Sequence, residues 1–112
     1  MKHPLILATS NPTKIEKLSK IFAPYFDDIQ PQDLSLDVQG DGEPLARHDA
    51  AMKAVAASLR YNCPAVATEA INQKETIAIA NRGKLLFAEE VDGGATYWDQ
   101  LKAMVDWFLQ AK

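Results

Sequence analysis

The sequence predicts one α/β domain over residues 1–112, with a mixed sheet and flanking helices in two or three layers. A short continuous apolar run at residues 4–8, followed by a helical pattern at residues 13–22, is half of a βαβ unit. An alanine-rich helical pattern at residues 45–60 then leads into a second short apolar run at residues 65–67. Two more strand patterns and a terminal helix follow, so we expect both parallel and antiparallel strand pairs.

The first helix has a clear start signal. Thr9, Ser10 or Asn11 can cap it, and Pro12 suits its first position. The apolar residues that recur at helical spacing are Ile15, Leu18, Ile21 and Phe22. Strand, cap and helix therefore follow one another directly.

The middle of the chain combines a strand pattern, a loop and a helix. Leu34, Leu36 and Val38 alternate with polar neighbours, so residues 28–39 are expected to hold one strand or two half-strands. The Gly-Asp-Gly-Glu-Pro segment at residues 40–44 predicts a loop. The helix that follows carries Ala51, Val55 and Leu59 at four-residue steps.

The last third predicts a hairpin and a helix. Strands at residues 76–80 and 84–88 flank an Asn-Arg-Gly loop whose glycine can take positive φ. Thr96 can cap a helix over residues 97–110. One face of that helix is apolar, with Leu101, Met104, Val105, Phe108 and Leu109.

Composition narrows the function classes. The net charge of −3 gives no basic field to gather nucleic acid. Cys63 is the single cysteine, so no intrachain disulfide forms, which fits a reducing compartment. No apolar run is long enough for a signal peptide or a membrane span. We therefore expect a cytoplasmic protein that binds neither membranes nor nucleic acid.

The turn before the first helix is a candidate phosphate site. Backbone N–H groups at a helix start point outward, and the helix dipole favours an anion there. Lys14, in the first helical turn, could reach a bound phosphate. The alternative is an ordinary helix cap followed by a solvated lysine, which is what these residue types form at most helix starts.

Four more charged residues are candidates. Asp41 and Glu43 stand two residues apart in the glycine-bracketed loop and could hold Mg²⁺, or simply lie on a solvated turn. Lys53, in the alanine-rich helix, could bind phosphate at a cleft edge or be a surface lysine. Glu69 directly follows a buried strand, at the end of a sheet where ligands usually bind, although it could also be a cap.

Taken in order, these segments resemble a known family. Leu-Ala-Thr-Ser-Asn-Pro-Thr-Lys-Ile-Glu-Lys-Leu, at residues 7–18, resembles the strand, Thr/Ser-x-Asn-x-x-Lys turn and helix that open the inosine triphosphate pyrophosphatase family. Residues 49–54, Asp-Ala-Ala-Met-Lys-Ala, are similar to its Asn-Ala-x-x-Lys-Ala helix. Residues 64–67 match its Pro-x-x-Ala strand, but Thr-Glu-Ala-Ile at residues 68–71 replaces Asp-Asp-Ser-Gly. The resemblance covers about residues 4–70.

The resemblance implies a shortened version of that family's fold and a Mg²⁺-dependent hydrolysis of purine nucleoside triphosphates to the monophosphate and pyrophosphate. Its implied substrate-binding residues are Thr9, Ser10, Asn11, Lys14 and Lys53. Its implied metal ligands are Asp41, Glu43 and Glu69. Glu69 would also activate the attacking water, with Lys53 completing the electrostatic clamp.

The chain departs from the family after residue 70. The family's later segment, with Gly-Tyr-Asp-Pro and Ser-His-Arg elements that build the base pocket, is replaced by a shortened hairpin and helix at residues 71–112. A homodimer that completes the cleft is therefore expected. Two alternatives stay open: a nucleotide- or phosphate-binding protein without hydrolysis, and a catalytically inactive homodimeric interaction module. Trp98 and Trp107 of the last helix could serve an interface or fill the core.

Overall fold

The computed structural model describes residues 3–32, 46–71, 74–92 and 97–110. This part of the chain forms an α/β fold with a five-stranded mixed sheet and three helices. The elements are β1 (Pro4–Leu7), α1 (Pro12–Phe22), β2 (Asp28–Pro31), α2 (Ala46–Tyr61), β3 (Pro64–Ile71), β4 (Lys74–Asn81), β5 (Lys84–Asp92) and α3 (Tyr97–Gln110). The α/β class and the mixed sheet predicted from the sequence are confirmed. No helix in the described ranges is long and apolar enough to cross a membrane.

Several sequence-based expectations lie outside the described residues. They are the strand pattern at Leu34, Leu36 and Val38, the loop with Asp41 and Glu43, and the Thr96 cap.

The sheet has the order β2-β1-β3-β4-β5. Its first half is parallel, because β1 pairs in parallel with both β2 and β3. Its second half is antiparallel, because β3, β4 and β5 follow one another as a meander. The carboxyl end of β1 therefore lies beside the middle of β3, which is the longer strand.

The helices cover the two faces of the sheet, which gives three layers. Leu5, Leu7 and Val66 point to the face covered by α1 and α3, where they form the main core cluster with Leu18 and Leu101. The opposite face is lined by small residues and packs on α2. The small residues of that face and of α2 are Ala50, Ala54, Ala67, Ala78 and Ala80. Alanine on both sides lets α2 approach the sheet closely.

Strand β3 is longer than the sequence indicated. The apolar run ends at Ala67, and we expected Glu69 to follow the strand, but β3 continues to Ile71. The cause is pairing with β4, which extends over all eight residues of β3, whereas β1 pairs only with Ala65 and Val66. Glu69 is therefore a strand residue, with its backbone held in the ladder.

The β4–β5 hairpin has a tighter loop than the expected Asn-Arg-Gly. Asn81 pairs with Lys84, so only Arg82 and Gly83 form the loop. Both take positive φ, 51° and 86°, as a two-residue turn of the primed type requires. The Gly83 amide donates to the Ser58 hydroxyl at 2.9 Å, which ties the loop to α2.

Candidate functional site

A polar cavity of about 190 Å³ opens where β1 ends and α1 begins. Within the described residues it is lined by the turn after β1, by Lys14 and Lys53 from two helices, and by Thr68 and Glu69 of β3. The turn contributes Ala8, Thr9 and Ser10. The Ala8 amide donates to the Val66 carbonyl at 2.9 Å, which holds the turn against β3. The cavity thus lies at the carboxyl end of a parallel strand pair, the usual ligand side of an α/β sheet.

Asn11 is the residue that caps α1. Its side-chain oxygen accepts from the backbone amides of Thr13, at 3.0 Å, and Lys14, at 3.4 Å. Its own amide donates to the Thr9 hydroxyl at 3.1 Å, which tightens the turn. Of the predicted substrate-binding residues, Asn11 alone is not among the described lining residues of the cavity. In this structure it shapes the turn on which Thr9 and Ser10 stand.

Lys14 crosses from α1 to β3. Its ammonium donates to the Thr68 carbonyl at 3.2 Å, and the side chain is half-buried. A lysine ammonium carries three donors, so this bond leaves the others available to a ligand in the cavity. Lys14 is therefore a partly buried lysine whose ammonium lies at the cavity.

Lys53 and Glu69 form an ion pair that joins α2 to β3. Their side chains are 33% and 24% exposed, so the pair is partly shielded from solvent. Lys53 reaches β3 because Ala50 and Ala54, on the same stretch of α2, are fully buried against the sheet. Two residues selected separately from the sequence therefore contact each other directly.

The cavity opens at the end of β1, where the two faces of β3 can both be reached. Successive strand residues point to opposite faces, so Thr68 faces α1 and α3 while Glu69 faces α2. Lys14 approaches from one face and Lys53 from the other. The described lining carries two ammonium groups and one carboxylate, a net charge of +1. This charge balance favours an anionic ligand.

Glu75 is a neighbouring residue that sequence analysis missed. It lies in β4 opposite Ala70, which places it on the face of Thr68. Burial raises the pKa of its carboxyl group; the Lys14 ammonium opposes this rise and the Glu69 carboxylate adds to it. The sequence does contain one indication that Glu75 points inward. In a strand, Glu75 shares a face with Ile77 and Ile79, and both of these are buried in the core.

The predicted metal ligands are only partly placed. Glu69 lines the cavity, whereas Asp41 and Glu43 lie outside the described residues. Across the ranges that the structure describes, no group of three or more His, Cys, Asp and Glu side chains is arranged to hold a metal ion. Cys63 is buried, as expected of a small core residue, and burial raises the pKa of its thiol.

Comparison with known proteins supports the fold. The chain matches no protein-family model, and no curated protein sequence is detectably similar to it. Its structure is similar to the crystal structure of protein VC0702 from Vibrio cholerae, with a TM-score of 0.52. The similarity covers 92% of this chain and 71% of that chain, at 14% sequence identity. The protein thus belongs, by fold, to the α/β class, with a polar cavity at the carboxyl end of its first strand.

Proposed function

We propose that this protein is a cytoplasmic, Mg²⁺-dependent pyrophosphatase that hydrolyses purine nucleoside triphosphates to the monophosphate and pyrophosphate. One observation carries the proposal. Lys14, Lys53 and Glu69, which come from α1, α2 and β3, converge on a single cavity at the end of β1. Two ammonium groups suit a polyphosphate, and a carboxylate beside them suits the activation of water.

The start of α1 would bind the phosphates. The positive end of the α1 dipole attracts an anion. The first-turn amides of Thr13 and Lys14 already donate to the Asn11 side chain, so hydroxyl and ammonium groups would make the direct contacts. Thr9 and Ser10 add hydroxyl groups to the same wall of the cavity, and Lys14 adds a positive charge held over it by the Thr68 carbonyl. The bent, capped turn fixed by Asn11 keeps these donors in place before the substrate arrives.

The Lys53–Glu69 ion pair would break when the substrate binds. Phosphate oxygens compete for the Lys53 ammonium, and the Glu69 carboxylate is then free to orient a water molecule and to accept its proton. The water oxygen forms a bond to phosphorus as the bond to pyrophosphate breaks. Lys53 and Lys14 stabilise the negative charge that develops on the phosphate oxygens.

Among the described residues, the cavity supplies one of the carboxylates that Mg²⁺ would need. This ion is usually held by one or two carboxylates, and phosphate oxygens and water complete its coordination. Glu69 supplies a carboxylate at the cavity, and Asp41 and Glu43 stay predicted ligands. When bound, the ion would neutralise phosphate charge and orient the substrate.

The test is pyrophosphate release from a panel of nucleoside triphosphates that includes deaminated purines, at millimolar Mg²⁺. We expect release that stops when EDTA removes the metal and that is strongest with one purine base. The absence of release with every nucleotide, from protein shown to be folded by circular dichroism, would refute the proposal.

A second candidate is a nucleotide- or phosphate-binding protein without hydrolysis. Two observations favour it: Glu69 is already engaged by Lys53, and Thr68 stands where the resembling family has an acid. A ligand that binds only the folded state raises the melting temperature by mass action. Nucleotide-induced stabilisation without turnover would select this candidate over the hydrolase.

A homodimer is also part of the proposal. Trp107 is 69% exposed on α3, and tryptophan is enriched at subunit interfaces. Trp98, by contrast, is half-buried and packs against the core cluster. Light scattering of wild type and of Trp107→Gln would test this: we expect wild type to be a dimer and the variant to dissociate to monomers at a higher protein concentration than wild type does. A monomer at all concentrations would exclude it.

A further inference from the structure

The side of α2 that is turned away from the sheet is apolar. Its inner side packs on the sheet through buried alanines. Met52, Val55 and Leu59 follow one another at three- and four-residue steps on the outer side, and Met52 is 41% and Leu59 67% exposed. A surface helix normally carries polar residues on its outer side, whereas a helix that is apolar on both sides is usually covered by another element. This helix is therefore built to be covered.

The β4–β5 hairpin extends the apolar surface. Leu59 lies against the hairpin loop, since a Cβ added at Gly83 would stand 3.2 Å from its Cδ1 atom. Leu85 pairs with Ala80, which is buried against α2, so Leu85 points to the same side of the sheet as α2. Its side chain is 42% exposed. The four apolar residues form one surface, the α2 outer strip: Met52, Val55, Leu59 and Leu85.

Basic side chains border the α2 outer strip on both sides. On one side, the guanidinium carbon of Arg60 lies 5.8 Å from the centre of the Tyr61 ring. The Tyr61 hydroxyl donates to Gln32, next to β2, at 3.3 Å, which places this border on the β2 side of α2. On the other side, Arg82 lies in the hairpin loop. Both arginines are exposed. The surface is thus an apolar strip between two positive charges.

The hairpin end of the α2 outer strip lies at the other end of the sheet from the cavity. Asn81, where the hairpin loop begins, pairs with Pro64 at the start of β3. The cavity lies beside Glu69, toward the end of the same strand. The two surfaces are therefore separate, and the inference does not depend on the proposed function.

We propose that the α2 outer strip binds an acidic amphipathic helix of a partner protein. Apolar residues at three- and four-residue steps are the pattern on which a second helix packs, and arginine and methionine are enriched at protein interfaces. Apolar side chains of the partner pack on Leu59 and Leu85, and its aspartates or glutamates pair with Arg60 and Arg82. The positive borders select an acidic partner, because like charges across an interface repel.

Two other occupants fit this surface less well. A second copy of the chain would bring no acid from the same surface, because residues 50–64 and 80–86 contain neither aspartate nor glutamate. An anionic membrane is usually held by clusters of about 4–8 basic residues, whereas Arg60 and Arg82 alone border this strip among the described residues. A helix that carries acids beside its apolar side chains matches both features of the surface.

The experiment uses a fluorescein-labelled helical peptide of about 18 residues, long enough to hold a helix, with leucines at three- and four-residue steps and glutamates on both borders. Fluorescence anisotropy measures its binding to the full chain. We expect binding that weakens as the salt concentration rises. The double variant Arg60→Glu/Arg82→Glu should weaken binding at least about tenfold. Leu59→Ser should weaken it at least about fivefold, and Leu85→Ser tests the same surface if Leu59→Ser does not fold.

Matched controls separate the surface from general effects of charge and hydrophobicity. Lys17→Glu/Lys20→Glu makes the same change in net charge at two exposed lysines of α1. Trp107→Gln removes an exposed apolar side chain from α3. Both variants should bind the peptide like wild type, and a peptide with lysine in place of glutamate should not bind wild type. Circular dichroism checks that each variant is folded.

Four outcomes would overturn the inference. One is no peptide binding by wild type, and another is equal binding by Arg60→Glu/Arg82→Glu and Lys17→Glu/Lys20→Glu. A dimer that Leu59→Ser dissociates, seen by light scattering, would assign the strip to a second copy. Binding to phosphatidylserine vesicles that exceeds binding to the peptide, and that the arginine variant loses, would assign it to a membrane. None of these measurements requires hydrolysis of a nucleotide.

Discussion

The Lys53 ammonium and the Glu69 carboxylate are paired across the contact between α2 and β3. Neither side chain is fully buried, so a ligand in the cavity can reach both groups. The pair therefore keeps the cavity nearly neutral on this side until an anion arrives. Single substitutions of Lys53 and Glu69 can therefore distinguish the contribution of each residue to nucleotide binding and to hydrolysis.

Lys53→Met should weaken nucleotide binding at least about tenfold, the effect of losing one charge-assisted contact of about 1.5–3 kcal/mol. Folding stability should fall by about 1 kcal/mol or less, because partly exposed ion pairs contribute little. Equilibrium dialysis and urea denaturation measure the two quantities. Lys20→Met is the matched control, since Lys20 is an exposed lysine paired with Glu16. Equal binding by both variants would remove Lys53 from the site.

Glu69→Gln should lower pyrophosphate release by about a hundredfold or more, the usual contribution of a general base. Nucleotide affinity measured without Mg²⁺ should stay within a few-fold of wild type, because the amide still fills the space and Lys53 is released toward the phosphates. Glu16→Gln, which changes an exposed carboxylate of α1, serves as control. A Glu69→Gln protein with the full rate would show that another group accepts the proton.

Asn11→Ala should destabilise the protein by about 1 kcal/mol, because it removes the cap that accepts from Thr13 and Lys14. Asn11→Asp should stay near wild type, since aspartate caps equally well. Urea denaturation gives both values. If Asn11→Ala unfolds at the wild-type midpoint, the capping bonds do not contribute to stability.

Gly83→Ala should cost about 1–3 kcal/mol, because φ at this position is +86° and alanine is strained there. A Cβ would also stand 3.2 Å from Cδ1 of Leu59, whose exposed side chain has room to shift. Gly83→Asn, which tolerates positive φ, should cost less than Gly83→Ala. Thermal denaturation ranks the two variants, and the reverse order would mean that crowding by Leu59 dominates.

Tyr97 should make the folding stability depend on pH in alkaline solution. Burial, with a further contribution from Glu75, raises the pKa of its phenol from 10.0 to about 12. The unfolded chain then ionises first, so stability present below pH 10 should be lost progressively toward pH 12. The hydrogen bond to Asp106 also raises the pKa of Tyr25, so the titration is followed in a Tyr25→Phe background. Tyrosinate absorbance should then show one group titrating late, and adding Tyr97→Phe should remove it together with that part of the stability loss. A late group that persists in the double variant would contradict the assignment to Tyr97.

Most of the site could be proposed from local sequence, but its contacts could not. Lys14 follows from the cap and turn pattern, Lys53 from its place in the alanine-rich helix, and Glu69 from its position after a buried strand, while the resemblance implies their roles. That Lys53 meets Glu69 depends on how α2 packs on β3, a contact between residues on separate elements. Glu75 stands in a strand that local pattern predicted as starting at Thr76, so only its register against β3 brought it to the site.

The sequence by itself determined the α/β class, the three helices and the end of β1, because periodicity and capping are properties of neighbouring residues. Only the tertiary structure decided where β3 ends and which face each acid occupies. Pairing with β4 carries β3 past its apolar run, through Glu69 to Ile71. Hydrogen bonds between strands, rather than the hydrophobicity of one strand, set that length, and the sequence pattern of a single segment does not contain them.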